Sequence, residues 1–389
     1  MQLSNRLDPL PHNVFAAMDE AKAKARQAGR DLIDLSLGSS DLPVSAPILE
    51  RIAHALKDSS THGYLLFQET LSFRQAAANW YEQRFGLAVD PVTEVLPLIG
   101  SQEGTAHLPL AILNPKDYAL LLDPGYPSHA GGVLLANGQV HTMPLTAANQ
   151  YLPDFGKIPH PVMARARMMV LSYPHNPTAA VASLEFFQEA VAFCQAHDMV
   201  LVHDFPYVDF VFSGQTPPSV LQADRDRRCS IEFFTLSKSH NMGGFRVGYA
   251  IGNQELIQAL RRIKAIVDFN QYRGILNASS YALEHGANAV QDTVNIFRER
   301  QNFVHHALDQ IGWSLEKSPA TMYTWAPLPS PWHNQSLQFS RELVAQTGVA
   351  LSPGSGFGNG GEGYVRLALV HDQPILQTAV DRIGTFLHT

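Results

Sequence analysis

Thr235-Leu-Ser-Lys-Ser-His-Asn-Met-Gly-Gly-Phe245, followed by Arg246, decides how this chain is read. Lys238 stands between two serines, just past an apolar run that reads as a strand. Arg246 comes eight residues later, close to Gly248. Forming a Schiff base requires an amine that can be neutral near pH 7, and lysine is the side chain for it. A lone lysine in a polar loop is ordinarily a surface charge. This one follows a strand pattern and is bracketed by small hydroxyls.

Upstream, Asp204 ends the strand pattern Met199-Val-Leu-Val-His-Asp204, with Tyr207 three residues on. Ligands of open α/β sheets collect at the carboxyl ends of strands, so an acid there can serve a bound group or cap a turn. Gly100-Ser101-Gln102-Glu103-Gly104 joins a strand pattern to a helix pattern. Small residues at such a junction let backbone amides approach a phosphate, which the helix dipole favours. Tyr126 lies in Pro124-Gly-Tyr-Pro127, and Asn176 in Tyr173-Pro-His-Asn-Pro-Thr-Ala179. Downstream, Arg366 interrupts the apolar strand pattern Tyr364-Val-Arg-Leu-Ala-Leu-Val370. A charge in such a strand needs a partner, and a guanidinium suits a two-pronged grip on a carboxylate.

The chain has 389 residues, enough for two domains around a large core. Apolar residues are 45% and charged residues 16%, as in an ordinary soluble globular protein. A net charge of −7 argues against nucleic acid or an anionic membrane as a main partner. Two cysteines, Cys194 and Cys229, fit a reducing cytoplasm better than a disulfide framework. The N-terminus lacks the apolar core of a signal peptide, and no apolar run approaches the ~20 residues of a membrane span.

Asn13 is read as the N-cap of a helix that stops at Gly29, and Asp31–Leu37 as a short strand. Strand patterns follow at Val95–Ile99, Tyr118–Leu122, Gln139–Met143, Met168–Ser172, Met199–Val202, Phe233–Leu236 and Val247–Ile251. Helical patterns such as Gly104–Leu113 and Leu184–Ala196 lie between them. Apolar strands alternating with helices predict an α/β fold with a mostly parallel sheet covered on both faces. Long helical stretches are predicted over 253–267 and 277–311, then strands at Tyr323–Pro327 and Val365–Val370. The expected division is a large domain over residues 46–274 and a smaller α+β domain combining 1–45 with 275–389.

The 17 histidines show no metal-ligand spacing, so no metal is expected. His175, His203 and His240 flank the presumed site as supporting donors or packing residues. No Gly-x-Ser-x-Gly serine and no Gly-x-Gly-x-x-Gly after an N-terminal strand supports a hydrolase or a dinucleotide site.

The ordered set Asn176-Pro-Thr, Asp204, Tyr207, Lys238 and Arg246 resembles the class I/II aminotransferases of fold type I. The N-terminal part resembles the diaminopimelate, alanine and aspartate aminotransferase group. The resemblance runs from about Val14 to Arg366. It implies pyridoxal 5′-phosphate (PLP) on Lys238, with Asp204 at the pyridine nitrogen and Tyr207 and Asn176 at the ring oxygen. Tyr126 would stack on the ring, and Ser101, Gln102, Ser237 and Arg246 would hold the phosphate. Arg366, with the amide of Gly38, would take the substrate carboxylate. It also implies a homodimer, with Tyr64 reaching the neighbouring subunit's phosphate and Arg273 the side chain of a dicarboxylic substrate. The expected reaction is ping-pong transfer of an amino group from an amino acid to a 2-oxo acid. A lyase of the same fold is the alternative, and a ligand-sensing regulator is disfavoured by the completeness of the set. The family glycine after Asn-Pro-Thr is Ala179 here, which questions the turn and not Asn176.

Overall fold

The computed structural model describes residues 3–8, 10 and 14–388, without the side chain of Phe15. The N-cap reading at Asn13 lies outside the described residues. The first helix spans Val14–Gln27, and Gly29 follows it with φ +76°, a left-handed position that suits glycine.

The centre of the molecule is a seven-stranded sheet. Its strands are β1 (Val95–Leu98), β2 (Tyr118–Asp123), β3 (Gln139–Pro144), β4 (Ala166–Leu171), β5 (Val200–Asp204), β6 (Ser230–Thr235) and β7 (Gly248–Gly252). Their spatial order is β1-β7-β6-β5-β4-β2-β3. Only β7 runs against its neighbours, so the sheet is mostly parallel, as the alternating pattern predicts. Apart from the edge strand β3, these strands are largely buried because helices cover both faces. Met169, Leu201 and Phe234 pack into one core cluster, whereas Val170, Val202 and Phe233 pack into another.

Parallel strands point their carboxyl ends the same way, so the loops after β1, β2, β4, β5 and β6 gather along one edge. The register Leu98↔Gly248↔Thr235 brings the ends of β1 and β6 to the start of β7. Helix α1 (Ser101–Ile112) begins at this edge after β1, and α2 (Pro127–Leu135) after β2. Asn253 starts α3 (Gln254–Val267), its side chain accepting from the amides of Glu255 and Leu256 at 2.8 and 3.0 Å.

Two expectations are corrected. The stretch read as one helix over 277–311 is two, α4 (Arg273–His285) and α5 (Ala287–Gln310). The chain turns between them at Gly286, where an added Cβ would lie 2.3 Å from the Ala282 carbonyl oxygen. The strand read over Asp31–Leu37 reduces to Ile33–Asp34, paired in parallel with Val349–Ala350.

A third apolar cluster joins the N-terminal segment to the C-terminal part. It is built on three antiparallel strands, β8 (Tyr323–Pro327), β9 (Ser352–Pro353) and β10 (Tyr364–Ala368), in the order β9-β10-β8. Among the described residues, no helix is long and apolar enough to cross a membrane.

Candidate active site

Between the strand-end edge of the large sheet and β8–β10 lies a cleft of about 380 Å³. Its lining residues come from strand ends, helix starts and loops at that edge, together with the C-terminal strands. Lys238 follows β6, and its Nζ donates to the Gly38 carbonyl oxygen at 2.6 Å. It also lies 5.6 Å from the centre of the Tyr207 ring.

Asp204, the last residue of β5, is buried. Its Oδ2 lies 3.0 Å from Nε2 of His129, on the first turn of α2. Its Oδ1 is buried with no hydrogen-bond partner among the described residues. A buried carboxylate oxygen left bare costs free energy unless a ligand supplies the missing proton donor. The sequence reading missed His129. Its signal was present: in Tyr126-Pro-Ser-His129 the tyrosine and the histidine stand three apart at a helix start, on one face. Tyr126 lines the cleft, edge-on to His129 with ring centres 5.7 Å apart, and burial pushes its phenol up.

The opening of α1 forms one end of the cleft. Ser101, Gln102, Ser237 and Arg246 line it together. Gly100 precedes the helix at φ +76°, and a Cβ there would lie 2.6 Å from Nη2 of Arg246. Glycine therefore lets the guanidinium lie against the helix start. Arg246 itself is left-handed at φ +54°, and its Nη1 donates to the Gly243 carbonyl oxygen at 2.9 Å. Thr235 donates to Ser237 Oγ at 2.8 Å and fixes that hydroxyl. A helix N-terminus, two hydroxyls and a guanidinium suit a phosphate dianion.

The opposite end is built on Arg366 of β10. Its Nη1 donates to Asn176 Oδ1 at 2.8 Å, and its Nη2 to the Ser36 carbonyl oxygen at 2.8 Å and Ser352 Oγ at 3.3 Å. None of these acceptors carries a negative charge. The guanidinium lies over the Tyr323 and Phe357 rings, at 4.2 and 4.7 Å, and is 5% exposed. A buried cation whose partners are all neutral, facing a cleft, suits an anionic ligand group.

Asn176 keeps its place although Ala179 replaces glycine. Ala179 adopts φ +62°, its amide donates to the His175 carbonyl oxygen at 2.8 Å, and the His175 amide donates to the Ala180 carbonyl oxygen at 2.8 Å. The turn survives, at a local cost of roughly 1 kcal/mol. His175 is enclosed, and burial lowers its ring pKa to about 3, so it stays neutral. Tyr323 also lines the cleft and was not singled out by the sequence. It appeared only as the start of a strand, and its contacts depend on how β8 meets the large sheet.

Tyr64 and Arg273 do not line this cleft. Tyr64 is 90% exposed, against the edge of Phe269 with ring centres 6.4 Å apart. Arg273 opens α4 and pairs with Glu69 at 2.7 Å. Glu103, His107 and Asp268 bring ligand atoms within 4.8 Å of one another, the spacing of a metal site. The ammonium of Lys264 already occupies that cluster, 2.9 Å from Glu103 and 3.3 Å from Asp268.

The model of the family "Aminotransferase class I and II" matches residues 30–383. An LL-diaminopimelate aminotransferase of Moorella thermoacetica is 39% identical over 387 residues, covering 100% of this chain and 99% of that protein. The structure of a probable N-succinyldiaminopimelate aminotransferase from Thermus thermophilus is 43% identical. It superposes with a TM-score of 0.90, covering 96% of this chain and 99% of that one. The substrate-bound structure of BacF from Bacillus subtilis superposes with a TM-score of 0.95 at 34% identity, covering 99% and 98%. The chain belongs to the class I and II aminotransferases, and it is an enzyme that transfers amino groups.

Proposed function

We propose that the cleft holds pyridoxal 5′-phosphate on Lys238 and that the amino donor is an amino acid of the diaminopimelate class. The observation that carries the cofactor reading is the bare Oδ1 of Asp204, buried beside the cleft that Lys238 enters. It would accept the proton of the pyridine nitrogen, while His129 holds Oδ2 and fixes the carboxylate plane. Ser101, Gln102, Ser237, Arg246 and the α1 amides would take the phosphate. Tyr126 would cover the ring, and Asn176 and Tyr207 would meet its phenolic oxygen.

Bound PLP supplies a carbonyl that exchanges amines and a ring that withdraws electrons from the adjoining carbon. The protein does the rest. Arg366, with the Gly38 amide, grips the α-carboxylate and turns the Cα–H bond toward Lys238. Lys238 Nζ takes that proton and returns it on the cofactor side. The cleft walls Tyr126, Phe357 and Tyr323 limit water around the reacting atoms. One water would supply the carbonyl oxygen of the 2-oxo acid that leaves, and a second 2-oxo acid would receive the amino group by the same steps in reverse, releasing a water.

The relatives named LL-diaminopimelate aminotransferase, at 36–40% identity along nearly the whole chain, support this donor class. We further propose a homodimer working in the cytoplasm, with the division into residues 46–274 and 1–45 with 275–389 as its two lobes. The exposed apolar side chains Tyr64, Leu66, Ile266 and Val267 support the dimer, since a monomer gains nothing by wetting them. Tyr64 would then reach the partner's phosphate and Arg273 the partner's substrate.

A donor panel tests the reading. Purified protein with PLP is offered LL-diaminopimelate, its N-succinyl form, glutamate, aspartate and alanine, and 2-oxo acid release is measured. LL-diaminopimelate is expected to give the highest kcat/KM. A higher value for alanine or aspartate would overturn the donor class, and no release from any donor would overturn the PLP reading.

A further inference from the structure

Tyr323 comes from β8, in the C-terminal part, and reaches into the centre of the cleft built mainly by the large sheet. Its hydroxyl is 2.7 Å from the hydroxyl of Tyr207. Its ring lies under the guanidinium of Arg366, 4.2 Å from the ring centre. In the β8–β10 register Arg366 stands opposite Trp325 and Tyr323 opposite Ala368, so Tyr323 and Arg366 are diagonal neighbours on one face. The Tyr323 oxygen also fills the space beside Gly38: an added Cβ at Gly38 would lie 2.0 Å from it. Gly38 is the residue whose carbonyl oxygen accepts from Lys238 Nζ. One side chain thus meets three parts of the site: its hydroxyl lies beside Gly38, whose carbonyl holds the lysine, and against the Tyr207 hydroxyl, and its ring lies under Arg366.

We propose that Tyr323 is a further catalytic residue, whose hydroxyl holds the Nζ of Lys238 and aims it at the substrate Cα during proton transfer. The inference rests on the assignment of Lys238 as the reacting amine. No covalent bond to Tyr323 is involved: the Cα proton moves to Nζ, and the hydroxyl accepts a hydrogen bond from that nitrogen. Electrostatics favour the acceptor role. Burial alone would raise the Tyr323 phenol, but the Lys238 and Arg366 charges and the hydrogen bonds from Tyr207 and Lys238 outweigh it and hold the phenol below its usual value. Tyr207 behaves oppositely, raised well above the phenol range by burial and by the Tyr323 charge. The two hydroxyls lie 2.7 Å apart and either can donate to the other, so Tyr323 is free to accept from Lys238. The glycine at position 38 follows from the same arrangement, because any side chain there would displace this oxygen.

Tyr323→Phe tests the proposal, since it keeps the ring under Arg366 and removes only the hydroxyl. PLP-loaded wild type and variant are compared by half-reaction kinetics with a saturating amino donor and by pH titration of the bound cofactor's absorbance. The expected result is a kcat lowered ~10–100-fold, with KM for the donor changed less than about threefold. The absorbance midpoint should move by about half a pH unit or more, which loss of packing alone would not produce. A variant with wild-type kcat and an unchanged midpoint would overturn the proposal while leaving Lys238 and PLP in place. Failure of the wild type itself to bind PLP on Lys238 would instead remove the reading on which it rests. Should Tyr323→Phe not fold, ultraviolet titration of the wild-type protein without PLP decides the matter. A tyrosine ionising below the free-phenol range, and moving up in Lys238→Met, supports the proposal. All 12 tyrosines ionising at or above that range would overturn it.

Discussion

His203 and Asp204 are neighbours on β5 and point to opposite faces of the same sheet. His203 is fully enclosed. Its Nδ1 lies 2.8 Å from Glu232 Oε1 and its Nε2 3.0 Å from the Tyr173 carbonyl oxygen. Glu232 also accepts from the Tyr81 hydroxyl at 2.9 Å, the Ser219 hydroxyl at 2.7 Å and the Val220 amide at 2.8 Å. Both oxygens of that carboxylate are saturated by the protein. Asp204, one residue along, is also buried and leaves Oδ1 bare beside the cleft. Burial therefore does not mark the functional acid. Satisfaction does: the network behind the sheet is complete without a ligand, and the site in front is not.

The comparison can be broken at either face. Lys238→Ala, on the cleft side, should lower turnover by at least ~10⁴-fold, because it removes both the attachment point and the proton carrier. Circular dichroism and thermal unfolding should remain those of the wild type. Residual turnover within tenfold of the wild type would show that the amine is not the reacting group.

Asp204→Asn should lower kcat by several orders of magnitude, since a neutral amide cannot hold the pyridinium charge. Its stability without cofactor should change by less than about 1 kcal/mol, because Oδ1 has no protein partner to lose. Near-normal turnover would make Asp204 a structural cap.

Glu232→Gln reverses the pattern. It leaves His203 and the other donors facing an amide, and should cost about 3–5 kcal/mol in denaturant unfolding. The fraction that stays folded should keep kcat within about threefold of the wild type. A large loss of kcat in fully folded protein would show that the two faces are coupled.

Glu103, next to the phosphate end, gives a pH signature of its own. Burial pushes its carboxyl up to about 7, against the pull of Lys264. A carboxyl raised on folding contributes stability that is full below its ordinary value of 4.5 and is lost as pH rises through about 7. Glu103→Gln should flatten unfolding free energy across that window by about 1–3 kcal/mol relative to the wild type. An unchanged slope would mean that the pair stays fully ionised throughout.

The smallest effect belongs to the exposed face. The Arg273–Glu69 pair is solvent-accessible and should contribute less than about 1 kcal/mol to stability. Arg273→Ala should lower kcat/KM for aspartate and glutamate about tenfold more than for alanine. An equal loss for all three would remove Arg273 from the substrate site.

Much of the frame was legible because residue type and position were chemically constrained together. An acid at the end of an apolar strand, a lysine just past another, and an arginine inside a third all demand partners, and the parallel sheet delivers them to one edge. The residues that were not legible owe their place to tertiary packing. Tyr323 reads as an ordinary β residue until β8 docks beside Gly38. His129 reads as a helix residue until β5 brings Asp204 to 3.0 Å. The break at Gly286 was hidden because the apolar periodicity continues on both sides. The strand over Asp31–Leu37 shortened because its pairing partner, Val349–Ala350, is only two residues long.

The most direct test of the account is where the cofactor attaches. The protein is incubated with PLP, reduced with borohydride, digested, and mapped by mass spectrometry. The account predicts a phosphopyridoxyl group on Lys238, in the peptide that contains Ser237 and Ser239. A group on any other lysine, with Lys238 unmodified, would contradict it.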